Sequence, residues 1–257
     1  MKPLLKNILA RLGYTILTRR HHQKLLHDLR LPPANMAALP LALDNLYTAG
    51  SSAPPPNILQ VGACDGLCDD PLHHFHTTRP CRAHLLEPLP ENFQILQKTY
   101  AAHPHITLHC EALTDTASGT ATLHVPEGGG PTKPHASFDP LLHKTIRIDA
   151  IRHGATRPVE LPAITITDFC RREHITHFHI IQIDAEGMDA RLVTSILRAG
   201  LRPAILNFEH LHIKTGEVKP LFTLLETCGY HWLHDNLNTC CLQKNRLHPQ
   251  EHIPSPQ

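Results

Sequence analysis

Four short segments hold residue types that can do chemistry. Val61-Gly62-Ala63-Cys64-Asp65-Gly66 follows a short apolar run. Its two glycines allow a tight turn and a close backbone approach to a ligand. Asp65 within that turn would repel a pyrophosphate and suits a ligand carrying an ammonium group. Leu85-Leu86-Glu87-Pro88 places an acid 25 residues beyond Gly62, where a carboxylate can accept hydrogen bonds from both hydroxyls of a ribose. Cys110-Glu111-Ala112-Leu113-Thr114-Asp115 offers a small residue beside backbone amides, an edge for a flat adenine ring. Ile181-Gln182-Ile183-Asp184-Ala185-Glu186-Gly187-Met188-Asp189 and Asn207-Phe208-Glu209-His210 then gather carboxylates and an imidazole. Such groups at a cleft mouth are candidates for general-base work. Asp189 is expected to cap the helix that follows it.

These segments must be positioned by elements, and the hydrophobic patterning supplies them. Asn57–Val61, Arg82–Glu87, Ile106–Glu111, Phe178–Asp184 and Ala204–Glu209 read as strands, and the candidate residues sit at or just past their ends. Between them, helices are expected after Asp70-Pro71 to about Thr78, and over Pro90–Ala101, Thr167–His174, Asp189–Ala199 and Glu217–Cys228. Ala121–Val125 reads as one strand of a hairpin. Gly229–Leu233 and Thr239–Gln243 pair as a closing hairpin across Asp235-Asn236. Strands alternating with helices predict an α/β fold, a mostly parallel sheet wound by right-handed crossovers, with an antiparallel edge. Ligands then bind at the carboxyl ends of the strands, near the topological switch point.

The main domain is expected over residues 57–246, after a helical, basic N-terminal segment (1–50) and a Pro-rich linker (51–56), with a polar tail at 247–257. The leading segment carries seven Lys/Arg against two Asp, and Leu4, Leu5, Ile8, Leu9, Leu12 and Ile16 recur at helical spacing. Such a helix packs on its own domain, on a partner, or on an anionic membrane surface. Residues 126–157 are rich in Gly, Pro and His without periodicity, long enough to suggest a functional segment in which Ser137 and Phe138 would be ordered by substrate.

Composition narrows the function. The 257 residues carry 24 Lys/Arg and 23 Asp/Glu, so a phosphate backbone is not an expected partner. No uninterrupted apolar run reaches the length of a membrane span. The eight cysteines form no CxxC pair, so no zinc ribbon is expected. The start is a poor signal peptide and reduced thiols fit, so a cytoplasmic location, peripheral to the membrane if at all, is expected. The 23 histidines are spread along the chain and warn against taking any one as a ligand. The cluster His73-His74-Phe75-His76 reads as surface, and Cys240-Cys241 as core packing.

The runs LQVGACDG, DDPLHHF, LLEPLPENFQILQKTYA, IIQIDAEGMDARLV and LRPAILNFEH, in this order and spacing, resemble the FkbM-type S-adenosylmethionine-dependent methyltransferases over residues 57–243. The resemblance implies the Rossmann-like class I methyltransferase fold, seven strands with the last pair antiparallel, and S-adenosylmethionine as cofactor. Two positions depart from the usual pattern. Gln60 stands where an acid often precedes the glycine, and Gln182 where a lysine often opens the IDxEG motif; both resemble a subgroup that opens QxGAxDG, in which Cys64 stands where Asn is often found. By resemblance, Gly62, Ala63, Asp65 and Gly66 line the methionine end of the cofactor, Glu87 holds the ribose, and Ala112 and Asp115 lie near adenine. Asp184, Glu186, Glu209 and His210 face the acceptor.

The family implies O-methylation of a sugar, glycan or small natural-product-like hydroxyl; such a hydroxyl must lose a proton to a base within hydrogen-bond reach, and Asp184 or His210 is expected in that role. No metal ligands are assigned, although a carboxylate pair near the acceptor could hold a divalent ion. Two other classes compete. A nicotinamide-dependent oxidoreductase is disfavoured by the missing GxGxxG and by Asp65. A non-catalytic binding module that keeps the fold is disfavoured by the presence of Gly62, Asp65, Glu87 and Asp184 together.

Overall fold

The computed structural model describes residues 38–47, 54–68, 70–126, 156–235 and 237–244. The expected basic helix at the start, the first half of the linker and the tail lie outside these residues. No helix among the described residues is long and apolar enough to cross a membrane.

The elements run α1 (Ala38–Leu46), β1 (Asn57–Val61), α2 (His73–Thr78), β2 (Arg82–Leu86), α3 (Pro90–Thr99), β3 (Ile106–His109), β4 (Ala112–Thr114), β5 (Gly119–Pro126), β6 (Thr156–Thr165), α4 (Ile166–Arg172), β7 (Ile180–Ile183), α5 (Asp189–Arg198), β8 (Ile205–Glu209), α6 (Thr215–Thr227), β9 (Tyr230–His234) and β10 (Asn238–Gln243). The main sheet has the order β3-β2-β1-β7-β8-β10-β9. Its first five strands are parallel, and β10 runs antiparallel to both β8 and β9. This is the mostly parallel sheet with a closing antiparallel hairpin that the patterning predicts, in the class I methyltransferase arrangement. The chain leaves β1 toward β2 and β3 on one side and later returns to lay β7 and β8 on the other. The crevice at the carboxyl ends of β1 and β7 is therefore the switch point.

Both faces of the sheet are buried, so its strands are apolar without a polar alternation. Ile58, Leu85, Ile180, Ile205 and Cys240 pack with Leu39 and Leu43 of α1, Phe75 of α2 and Leu96 of α3. Their neighbours Leu59, Leu86, Ile181, Leu206 and Cys241 pack with Phe169 of α4, Val193 and Ile196 of α5, and Leu221 and Leu225 of α6. The period-two reversal sends Cys240 and Cys241 to opposite layers.

Four local readings are corrected. Ala112–Thr114 is not a plain strand-end turn: it is β4, in a second sheet of order β4-β6-β5. The partner of β5 is β6, far along the chain, and β6 begins inside the stretch expected to lack structure. His76 is fully buried rather than on the surface, and burial pushes its imidazole down to about 3. Its Nδ1 lies 3.4 Å from the Tyr100 hydroxyl. Asp189 is the first residue of α5 and does not cap it. Its carboxylate instead reaches back to accept the N–H groups of Ala185 (3.3 Å) and Gly187 (3.2 Å).

One backbone contact fixes how β1 and β7 end. Gly62 has φ +76°, and a Cβ built there would lie 1.9 Å from the carbonyl oxygen of Asp184. No side chain fits between the two strand ends, and the conformation itself disfavours one. Gly62→Ala is expected to destabilise the fold by about 2–4 kcal/mol, seen as a lower urea midpoint. A midpoint equal to that of the native chain would contradict this packing.

Candidate active site

The cavity at the switch point is built from strand ends. Gln60, Val61, Gly62, Ala63 and Cys64 come from β1 and its turn, Leu86, Glu87, Pro88 and Leu89 from the end of β2, and Asn92 from α3. Glu111, Ala112 and Leu113 follow β3, Leu123 comes from β5, and Gln182, Asp184, Ala185 and Glu186 come from β7 and its turn. Asp70, Pro71 and Cys68 complete the lining.

Glu87 organises one end. Its Oε2 accepts the Cys64 N–H at 2.9 Å, and its Oε1 accepts the Leu89 N–H at 3.0 Å and the Asn92 amide at 3.4 Å. The two strand-end turns also meet directly, since the N–H groups of Gly62 and Ala63 both donate to the Leu86 carbonyl. Burial pushes the Glu87 carboxyl up to about 7, against the opposing pull of its N–H donors. Cys64, at φ +49°, is buried beside it, and burial followed by the Glu87 and Asp65 charges pushes its thiol up to about 12. That thiol is a packing group rather than a nucleophile. Cys68, further along the same turn, is exposed.

At the floor of the cavity Gln60 donates through Nε2 to Asp70 Oδ1 at 3.0 Å. Its Oε1 is buried with no hydrogen-bond partner among the described residues. Asp70 also accepts the Leu72 N–H, and burial raises its carboxyl.

The other end is acidic. Asp184 follows β7 and donates its N–H to the Val61 carbonyl at 3.0 Å. Glu186 stands at φ +45° and Gly187 at φ +96°, a turn that the Asp189 carboxylate ties back from below. Glu209 ends β8 and is pushed up to about 9, first by burial and then by the charges of Asp184, Glu186 and Asp189. His212 Nε2 lies 3.7 Å from both Glu186 Oε2 and Glu209 Oε2.

The structure brings Gly62, Ala63, Glu87, Ala112, Asp184 and Glu186 together around this cavity. It places the other candidates elsewhere. Asp65 is buried behind the turn, where its Oδ1 accepts the N–H groups of Leu67 and Cys68 at 2.9 and 2.8 Å. Gly66 is pressed on α3, where a Cβ would meet Tyr100 at 2.6 Å and Leu96 at 2.8 Å. Asp115 lies outside the cavity lining, and both its oxygens accept from Arg191 at 2.8 Å. Glu209 stands beside Glu186 and His212 rather than in the lining itself. His210 is tied to the closing hairpin: its Nδ1 is 3.1 Å from Thr239 Oγ1, and its N–H donates to Leu237. Ser137 lies outside the described residues. The patterning passed over Asn92 and His212, and Gln60 entered only as a departure from the family pattern. Asn92 could have been found from its place five residues beyond Glu87, and His212 from its i,i+3 spacing to Glu209.

The chain matches the family model described as the methyltransferase FkbM domain over residues 60–232. Among solved structures it is similar to the methyltransferase FkbM of Methylobacillus flagellatus KT, at 18% identity and TM-score 0.44, covering 77% of this chain and 46% of that one. It thus spans less than half the length of that protein. It is also similar to an O-methyltransferase from Bacillus cereus in complex with SAH, at 9% identity and TM-score 0.42, covering 93% and 97% of the two chains. Aeropyrum pernix fibrillarin with natively bound S-adenosyl-L-methionine matches at 11% identity and TM-score 0.41, covering 81% and 76%. Among curated proteins none matches.

Glu87 makes stability depend on pH. Between its ordinary 4.5 and about 7 the folded chain keeps a proton that the unfolded chain has released. Its contribution is therefore fully present below 4.5 and is lost as pH rises through this window, at up to about 1.4 kcal/mol per pH unit. The urea midpoint of the native chain should fall more steeply from pH 5 to pH 7 than that of Glu87→Gln. Parallel profiles would contradict the buried, protonated state.

Proposed function

The chain belongs to the FkbM methyltransferase family, and on that premise we propose that it transfers the methyl group of S-adenosylmethionine to a hydroxyl of a sugar, glycan or small natural-product-like acceptor. The observation that carries the reading is the cavity at the switch point, which both Glu87 and Asp184 line. The residues present fit the cofactor. Gln60 Oε1, a buried acceptor in the lining with no hydrogen-bond partner among the described residues, suits the N–H groups of an ammonium. Glu87 Oε2 accepts one backbone N–H and keeps a lone pair for a ribose hydroxyl. Ala112, Leu113 and Leu123 give a small apolar wall for a flat base.

When bound, the cofactor supplies a methyl group already activated on a sulfonium. The chain then has three tasks. The turns after β1 and β2, locked by Glu87, align the donor, and alignment accounts for much of the rate in such a displacement. The apolar wall and buried strand ends exclude water. Asp184, in the lining at the acidic end, accepts the proton that the acceptor hydroxyl must lose. Asp184 is preferred to His210 for this role because His210 is held by Thr239 and Leu237 outside the lining.

Calorimetry should show S-adenosylmethionine binding to the native chain, at least tenfold weaker in Glu87→Ala and unchanged in Asp115→Ala. With a radiolabelled methyl donor and a panel of glycans and hydroxylated metabolites, Asp184→Asn should lower turnover roughly 100-fold. A folded native chain that binds no donor, with or without the acceptor panel, would sink the reading.

A further inference from the structure

Beyond the donor cavity, the acidic end gathers two carboxylates and an imidazole that neither the donor nor the proton transfer uses. The ligating atoms of Glu186, Glu209 and His212 all lie within 4.8 Å of one another. They come from two separate pieces of backbone: the turn after β7, and the end of β8 with the loop just beyond it. We propose that these three side chains form a binding site for one first-row divalent cation, next to the acceptor end of the cavity. The proposal rests on the reading of Asp184 and Glu186 as the acceptor end.

Three observations carry it. The first is spacing. His212 Nε2 is 3.7 Å from each of the two carboxylate oxygens. That is too long for a hydrogen bond. Three ligands held about 2.0–2.2 Å from one ion stand about 3.3–3.8 Å from each other. The second is an orphaned atom. Glu209 Oε2, one of the three, is buried and has no hydrogen-bond partner among the described residues. Buried polar atoms are nearly always paired, and one that is not points to a missing ion or water. The third is local backbone. Glu186 adopts φ +45°, unusual for a residue with a side chain, and the Asp189 carboxylate holds the turn that carries it. Such conformations concentrate where a side chain must be aimed.

The donor set defines the ligand class. Two carboxylates and one imidazole suit a first-row ion, the carboxylates favouring Mn²⁺ and the imidazole Zn²⁺, better than Ca²⁺, which prefers six to eight oxygens. Three protein ligands leave a coordination position open. Glu186 lines the cavity, so that position is reachable by an acceptor oxygen, where an adjacent cation would favour loss of the hydroxyl proton. The other comparable group among the described residues, His84, His109 and Glu173, lacks this character. Its two imidazoles are 3.1 Å apart and bonded to each other, and the Arg172 guanidinium sits 3.4 Å from His109.

The test is a Mn²⁺ titration of the full chain after chelator dialysis, following the paramagnetic resonance signal of the free ion, with Zn²⁺ as competitor. One equivalent of Mn²⁺ should bind and be displaced by Zn²⁺. Affinity should drop at least tenfold in Glu209→Gln and in His212→Ala. Glu186→Gln, on a loop, should show the same drop and carries the test if either other variant fails to fold. Failure of the native chain to bind either ion at millimolar concentration, or equal binding in the folded variants, overturns the site. S-adenosylmethionine binding measured on the same metal-free samples separates the two readings. Donor binding without metal binding removes only the cation site, whereas loss of donor binding removes the transferase reading.

Discussion

The carbonyl of Asp184 passes so close to Gly62 that only hydrogen fits on the intervening carbon. Everything functional in this fold depends on that approach. It makes the turn after β1 and the turn after β7 two walls of one crevice, so a donor held by the first is within reach of carboxylates on the second. Glu87 then locks the β1 turn to the β2 turn from below, using backbone N–H groups that would otherwise be buried without partners. A carboxyl this buried is costly to ionise, and the N–H groups donating to it offset part of that cost.

A row of carboxamides runs across the strands from the crevice lining. Gln60, Gln182 and Asn207 are register partners across β1, β7 and β8, all buried, and Asn207 donates to Gln182 at 2.7 Å. The family pattern often has an acid at the first of these positions and a lysine at the second. Because the two positions are cross-strand neighbours, replacing both by glutamine removes an opposite-charge pair without leaving a buried charge behind. Replacing one alone would strand the other, which is far more damaging than exchanging the pair. The two departures from the family pattern thus fall on one pair of neighbouring positions.

How much of this was legible follows from what each residue depends on. The main strands, the closing hairpin and the residues at strand ends were readable because local patterning determines them. Glu87 and Asp184 fall in the cavity for that reason. Asp65, Gly66 and Asp115 share the same motifs yet serve the turn, α3 and Arg191, since a side chain's direction depends on tertiary packing that spacing does not encode. The second sheet was missed because β4 has three residues and its partner β6 lies across a long segment without periodicity. His212 and His76 were hidden by a chain with 23 histidines, where abundance makes each one look incidental.

The burial of the thiols has a practical side. Cys64, Cys81, Cys240 and Cys241 are enclosed and hard to ionise, and Cys110, Cys170 and Cys228 are only partly accessible, whereas Cys68 is exposed on the rim of the cavity. The chain thereby offers a native attachment point for a fluorophore beside its own crevice. A dye placed there would sense occupancy of the crevice as a change in emission, giving a label-based screen for unknown acceptors without any engineered cysteine.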